Sequence, residues 1–221
     1  MREIAHAKTV TAGFNCPQRT RSLFGKPQEM THAANDLDLL VKPFAPLADE
    51  QWPAEAVDLI GGFAGQLNVY RVMAHNPTLL RAWVDLREHV VRNNSLGLVR
   101  NEVVILRTGV RHNSDYEWNH HVLRARACGL EESRIASLRG PLGNMTVEDA
   151  ILAGAVDELL TNSKMSARAI AQLVDLVGKE GVLDVMVTVG FYSTLAFIVN
   201  TFGTPLDTRI AQELSEQPLM G

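Results

Sequence analysis

Residues 98–130 read LVRNEVVILRTGVRHNSDYEWNHHVLRARACGL, and this stretch decides the fold. Its first half places Val99, Val103, Leu106 and Val110 at three- and four-residue intervals, the stripe of an amphipathic helix. Ser114-Asp115-Tyr116-Glu117 has the form of a capping box, in which the serine and the glutamate three residues on satisfy each other's free N–H groups. That box opens a second helix running to about Cys128, which Gly129 ends.

The same punctuation continues outward. Upstream, His75-Asn76-Pro77 breaks one helix and starts the next, with Pro77 in a first turn that tolerates it. Leu79, Leu80, Trp83, Leu86 and Val90 form the expected stripe of that helix, and Asn93-Asn94-Ser95 closes it. Downstream, a short helix near 131–138 precedes the loop Arg139-Gly140-Pro141-Leu142-Gly143. Thr146 then caps a helix through Ile151, Ala155 and Leu159, and Ser166 caps another through Ile170, Leu173 and Val177. Gly178 to Gly181 separates this from an apolar helix over 182 to about 202, and Pro205 marks its end. No period-two alternation competes with this pattern, so the predicted class is all-α.

Composition bounds the function. The chain has 221 residues, 46% hydrophobic and 21% charged, with a net charge of −4, enough apolar material for a full core. The balance argues against a nucleic-acid surface and against a polybasic membrane face. Val185 to Leu206 carries no charge, but Thr188, Ser193, Thr194, Asn200, Thr201 and Thr204 make it too polar for a lipid-facing span. A buried central helix or an oligomer interface is the expectation instead, and no membrane partner is expected. Two cysteines, Cys16 and Cys128, are too few for a disulfide scaffold and fit a cytoplasmic location. Residues 1–35 are basic, with five Lys/Arg against Glu3 and Glu29, and read as an N-terminal tail. An extended start upstream of Met30 is the simpler account of the tail, and a targeting segment is the other. Residues 36–221 read as a single helical domain.

The chemistry concentrates in the same 33-residue stretch quoted above. Glu102 shares a helix face with Ile105, Leu106 and Gly109 and is expected to point inward. It is either a site carboxylate or a structural one, paired with Arg100 or with an arginine of the next helix. Glu117 and His121 stand i, i+4, one above the other, and a carboxylate beside an imidazole is the elementary unit of general acid/base work. Glu117 has a competing role as the third residue of the capping box, and His121 a competing role as a satisfied core histidine. His120 is expected to be an exposed neighbour.

Other motifs fall short. Glu117-x-x-His120 has di-iron spacing, but a second such motif is missing, and no metal is expected. Cys128 lacks a Cys-x-x-Cys partner and reads as a buried small hydrophobe. Gly61, Gly62 and Gly65 follow no strand and make no phosphate loop, and the serines lack a nucleophile elbow.

Arg100-x-Glu102-x-x-Ile105-Leu106-Arg107, then Tyr116-Glu117-Trp118-x-x-His121, then Gly129-Leu130 and the helix Ile135–Leu138 resemble the carboxymuconolactone decarboxylase family of the alkylhydroperoxidase D-like superfamily. The resemblance covers about 66–213, including Asp157-Glu158-Leu159 and Tyr192. It implies an all-helical bundle assembled as a homo-oligomer (trimer or hexamer), no organic cofactor, and a small-molecule substrate. It also implies catalytic roles for His121, Glu117 and Glu102, with Arg107, Tyr116 and Trp118 as substrate-binding residues. The peroxidase branch carries Glu followed by Cys-x-x-Cys-x-x-x-His, and aligning Glu102 and His121 puts Ser114 and Glu117 at the two cysteine positions. Neither forms a thiolate or a disulfide, which disfavours a thiol peroxidase there. The resemblance therefore implies an acid/base lyase (a decarboxylase) or isomerase acting on a carboxylated or lactone-type metabolite. In that reading His121, held by Glu117, delivers a proton, while Arg100, Arg107 or Arg111 holds the substrate carboxylate. Peroxidase-related chemistry through Cys128 and a non-enzymatic helical oligomer are the alternatives.

Overall fold

Side-chain caps fix four helix starts. Asn76 accepts from the Leu79 N–H, Ser114 from Glu117, Thr146 from Asp149 and Ser166 from Ala169. The computed structural model describes residue 40 and residues 42–218, all helix, turn and loop, with no strand among them. The N-terminal tail and its histidines and cysteine lie outside the described residues.

The labelled helices are α1 (Asn68–Met73), α2 (Pro77–Glu88), α3 (Leu98–Arg111), α4 (Asp115–Ala127), α5 (Glu132–Ser137), α6 (Val147–Asn162), α7 (Ala167–Phe202) and α8 (Thr208–Glu216). Short 3-10 turns at Asp49–Gln51 and Ala54–Leu59 and a single turn at Phe63–Gln66 lead into α1. Residues from Leu40 onward form one compact unit.

α3 lies at the centre and packs on α4, α6 and α7. Its residues Asn101 to Gly109 are all buried. Val103, Val104 and Leu106 join one apolar cluster with Val122, Leu152 and Val185. Ile105 joins a second cluster with Tyr70, Trp83, Tyr116 and Tyr192. The α3–α4 contact is close because Gly109 has no side chain: a Cβ there would meet Glu117 Cβ and the Trp118 nitrogen at 3.4 Å. A helix pinned this tightly brings Glu117 against α3, and the site depends on that.

α2 differs from its predicted stripe. Leu79 and Leu86 are exposed, and the buried line is Leu80, Trp83 and Arg87, continued by Val90 in the π-helical turn His89–Asn93. The helix is rotated so that an arginine faces inward, stacked over the Phe63 ring at 4.0 Å. Asp184 of α7 fixes the end of this segment, accepting from the Ser95 N–H and hydroxyl (2.6 and 2.7 Å) and meeting His89 Nε2 at 2.7 Å.

α7 bends where the sequence breaks. Gly178 has φ 72° and ψ 179°, a conformation open to glycine and strained for any other residue. Beyond it the helix is long and apolar enough to cross a membrane by length and composition, and 61% of its most apolar window is buried in this fold. Its outer face still carries exposed Leu183, Met186 and Phe197.

Candidate functional site

α3 and α4 meet around three buried ionisable side chains: Glu102, Glu117 and His121 are 4, 3 and 5% exposed. His121 Nδ1 lies 2.6 Å from Glu102 Oε2, and Arg124 Nε donates to Glu102 Oε1 at 3.1 Å. Arg100 pairs with Glu148 instead, so the arginine partner of Glu102 comes from the next helix. Burial alone would raise the Glu102 pKa, but the His121 and Arg124 partners outweigh it and hold the carboxyl below its usual range. Burial acts first on His121 as well and lowers its pKa, although Glu102 opposes the shift. The 2.6 Å contact with an acceptor-only carboxylate calls for a proton on Nδ1, and the lowered His121 pKa favours the neutral ring.

That tautomer leaves the Nε2 lone pair free. Nε2 stands 3.7 Å from Glu117 Oε2, beyond hydrogen-bond range. Glu117 does not hold His121; Glu102 does, because its carboxylate reaches the ring from the neighbouring helix at bonding distance. The capping role of Glu117 is also one-sided. Its N–H donates to Ser114 Oγ at 3.4 Å, yet the Ser114 N–H goes to Gly109 O rather than to the glutamate side chain. Glu117 Oε1 has no hydrogen-bond partner. Burial, followed by the nearby Glu102 charge, pushes the Glu117 pKa up to about 8, so it is a neutral acid at neutral pH.

Glu117 and His121 line a cavity of about 40 Å³ with Tyr70, Arg87, Arg124 and Tyr192 among its other walls. Burial acts first on both phenols, raising Tyr70 to about 12 and Tyr192 well above its usual value. Tyr116 lines the same cavity, where its hydroxyl donates to Asp207 at 2.6 Å and accepts from the Val69 N–H at 3.1 Å. His120, expected to be exposed, is 6% exposed and meets Asp207 at 2.9 Å, because the chain entering α8 folds over this face of α4.

Two expected substrate-binding residues stand elsewhere. Arg107 is buried with its guanidinium committed to both oxygens of Asp157 and to the Leu138 and Gly140 carbonyls, which turns it away from the cavity. Trp118 lies on the other side of α4 in the first apolar cluster, with Arg139 stacked at 4.1 Å. Arg111 also pairs with Asp157, leaving none of the three arginines named from sequence at the cavity. Leu80-Trp83-Arg87-Val90 steps by three, four and three residues, as helical as the predicted stripe through Leu86, and is the sequence signal for the arginine that does line the cavity.

Glu102 and Arg124 also line a second, more open cleft of about 220 Å³ with Leu98, Ala127 and Cys128. Cys128 is half-buried, its thiol contacts Ala125 O, and burial pushes its pKa up. No group of three or more His, Cys, Asp or Glu among the described residues is arranged to hold a metal ion. Residues 77–153 match the model of the carboxymuconolactone decarboxylase family. The match runs from the start of α2 into α6 and contains Glu102, Glu117 and His121. No curated protein matches the chain.

Proposed function

We propose that this chain, which carries a carboxymuconolactone decarboxylase family domain over residues 77–153, is an acid/base lyase or isomerase for a small carboxylated or lactone-type metabolite. The observation that carries the reading is buried Glu117 with its Oε2 3.7 Å from Nε2 of His121, whose other nitrogen is bonded to Glu102 at 2.6 Å; burial of Glu117, which raises its pKa, supports it as the acid. A buried acid and a buried base that differ in protonation at one pH are what proton transfer to and from carbon requires.

In a decarboxylation the bond from carbon to the carboxylate breaks and its electron pair stays on the carbon skeleton. CO₂ leaves, and the carbon takes a proton from Glu117. Solvent restores that proton, through His121 Nε2 or directly, so one proton is consumed for each CO₂ released. In an isomerisation His121 removes a proton from one carbon, Glu117 supplies one to another, and the proton then returns from His121 to Glu117, directly or through solvent, to restore both groups. The cavity is far below the roughly 300 Å³ at which ligand sites begin. A ring-sized substrate therefore requires a wider cavity than this one.

Thiol peroxidase chemistry has little to work with here. Ser114 Oγ is engaged as a cap, and the only cysteine among the described residues lies in the outer cleft with a raised pKa. The exposed stripe of α7 supports a homo-oligomer as the working assembly, which gel filtration with light scattering reads directly. The test of function is a panel of small carboxylated lactones and keto acids, with CO₂ release and hydroperoxide loss read in parallel. Wild type is expected to release CO₂ or isomerise one class, and His121→Ala and Glu117→Gln to lose that turnover. Full turnover in both variants overturns the assigned roles.

A further inference from the structure

Two arginines in this protein are buried to the same extent and are treated differently. Arg107 and Arg87 are each 7% exposed. Arg107 has a bidentate carboxylate and two carbonyls. Arg87 has no carboxylate within ion-pair distance among the described residues, and its Nε has no hydrogen-bond partner. It stacks over the faces of Phe63 and Tyr70, at 4.0 and 5.9 Å, and lies beside the Tyr70 hydroxyl, whose pKa burial raises and the Arg87 charge lowers. A buried cation with no counter-ion is costly, and such a group is retained where something else supplies the negative charge.

The charge balance of the cavity points the same way. Glu102 and Arg124 cancel across their 3.1 Å contact. Glu117 and His121 are neutral at neutral pH, as are the Tyr70 and Tyr192 phenols. Tyr116 and His120, also on the wall, are held from behind by the Asp207 carboxylate. Arg87 has no such carboxylate of its own, and Glu117 Oε1, the other unpartnered buried atom of this cavity, is a donor when protonated. A planar anion in this cavity would accept from the guanidinium, and the carboxylic acid is a second donor on the wall.

We infer that Arg87 is the receptor for a carboxylate of the ligand, so that the cavity selects small carboxylates over neutral molecules of the same size. The inference rests on the reading of this cavity as the substrate site, and it moves the anion-binding role from α3, where sequence placed it, to α2. Glu117 then serves twice, as a donor to the bound anion and as the acid. Glu117 shares the cavity with Tyr70 of α1, Arg87 of α2, Tyr116, His120, His121 and Arg124 of α4 and Tyr192 of α7, with Glu102 of α3 bonded to His121, and its ionisation adds a negative charge beside the anion and expels it.

The probes are formate and acetate, titrated by calorimetry into the full chain, with formamide and acetamide as neutral counterparts at matched ionic strength. Wild type is expected to bind the carboxylates and not the amides, with affinity falling as pH rises through about 8. Arg87→Gln is expected to weaken carboxylate binding about tenfold or more, the scale of losing a hydrogen bond to a charged group. Glu117→Gln is expected to bind at neutral pH and to lose the fall above it. Equal binding by wild type and a folded Arg87→Gln, or binding of amides as tight as of acids, overturns the inference. If Arg87→Gln does not fold, the wild-type pH profile decides: affinity flat from pH 6 to 10 overturns it. Turnover separates this from the catalytic reading. Carboxylate binding that depends on Arg87, in a protein whose His121→Ala and Glu117→Gln variants turn over normally, keeps the anion site and removes the acid/base one.

Discussion

Replacing Glu117 by glutamine should stabilise the protein, and by an amount that depends on pH. The carboxyl titrates near its ordinary 4.5 when unfolded and near about 8 in the native state. Between those values the native state holds a proton that the unfolded chain has released, so wild-type stability falls as pH rises. The slope is about 1.4 kcal/mol per pH unit and the total about 5 kcal/mol, complete once pH exceeds the native value. Glutamine has the shape of the protonated acid and carries no proton to lose. The assay is urea denaturation of wild type and Glu117→Gln at several pH values between 4 and 9. The difference should be smallest near pH 4 and grow to several kcal/mol in favour of the variant by pH 8, while turnover is lost. A difference that stays constant with pH would mean that Glu117 ionises normally, and the acid assigned to this site would not exist.

Three other substitutions test the frame around the site. Asp207→Ala removes the acceptor shared by Tyr116, His120 and the Asn68 N–H, and should cost about 3 kcal/mol in urea denaturation. Burial opposes ionisation of Asp207, but those donors outweigh it and lower its pKa, so this contribution is present above about 3.8 and fades as pH falls through the lowered native value. Arg107→Met breaks the contact with Asp157 and should cost about 3 kcal/mol, since Arg111 keeps part of the pair, while formate affinity stays unchanged. Gly178→Ala meets no atom but must adopt φ 72°, ψ 179°, and should lower stability by about 1–3 kcal/mol, read as a lower thermal midpoint.

Local chemistry was readable along the chain and long-range pairing was not. Asn76, Ser114, Thr146 and Ser166 announce helix starts because a cap and its N–H lie three residues apart, and Gly178 announces its break for the same local reason. The inward face of Glu102 followed from its apolar neighbours. Which side chain holds His121 did not, because Glu102 and Glu117 are both within reach and only the packing of α3 on α4 through Gly109 decides between them. His120 is covered by an aspartate 87 residues away, and Arg107 is neutralised by one 50 residues away. Arg87 was missed for a different reason. A stripe drawn through apolar residues alone chose Leu86, and a rotation of one residue replaces it with an arginine.

The proposed chemistry needs a neutral, singly oriented base opposite a neutral acid. Nitrogen-15 resonance of His121 across pH 5.5 to 9 tests it most directly, with His121→Ala identifying the signal. A neutral ring is expected at pH 7, protonated at Nδ1 towards Glu102, with Nε2 bare and responding near pH 8 when Glu117 ionises. An imidazolium at pH 7, or a ring protonated at Nε2, would contradict it.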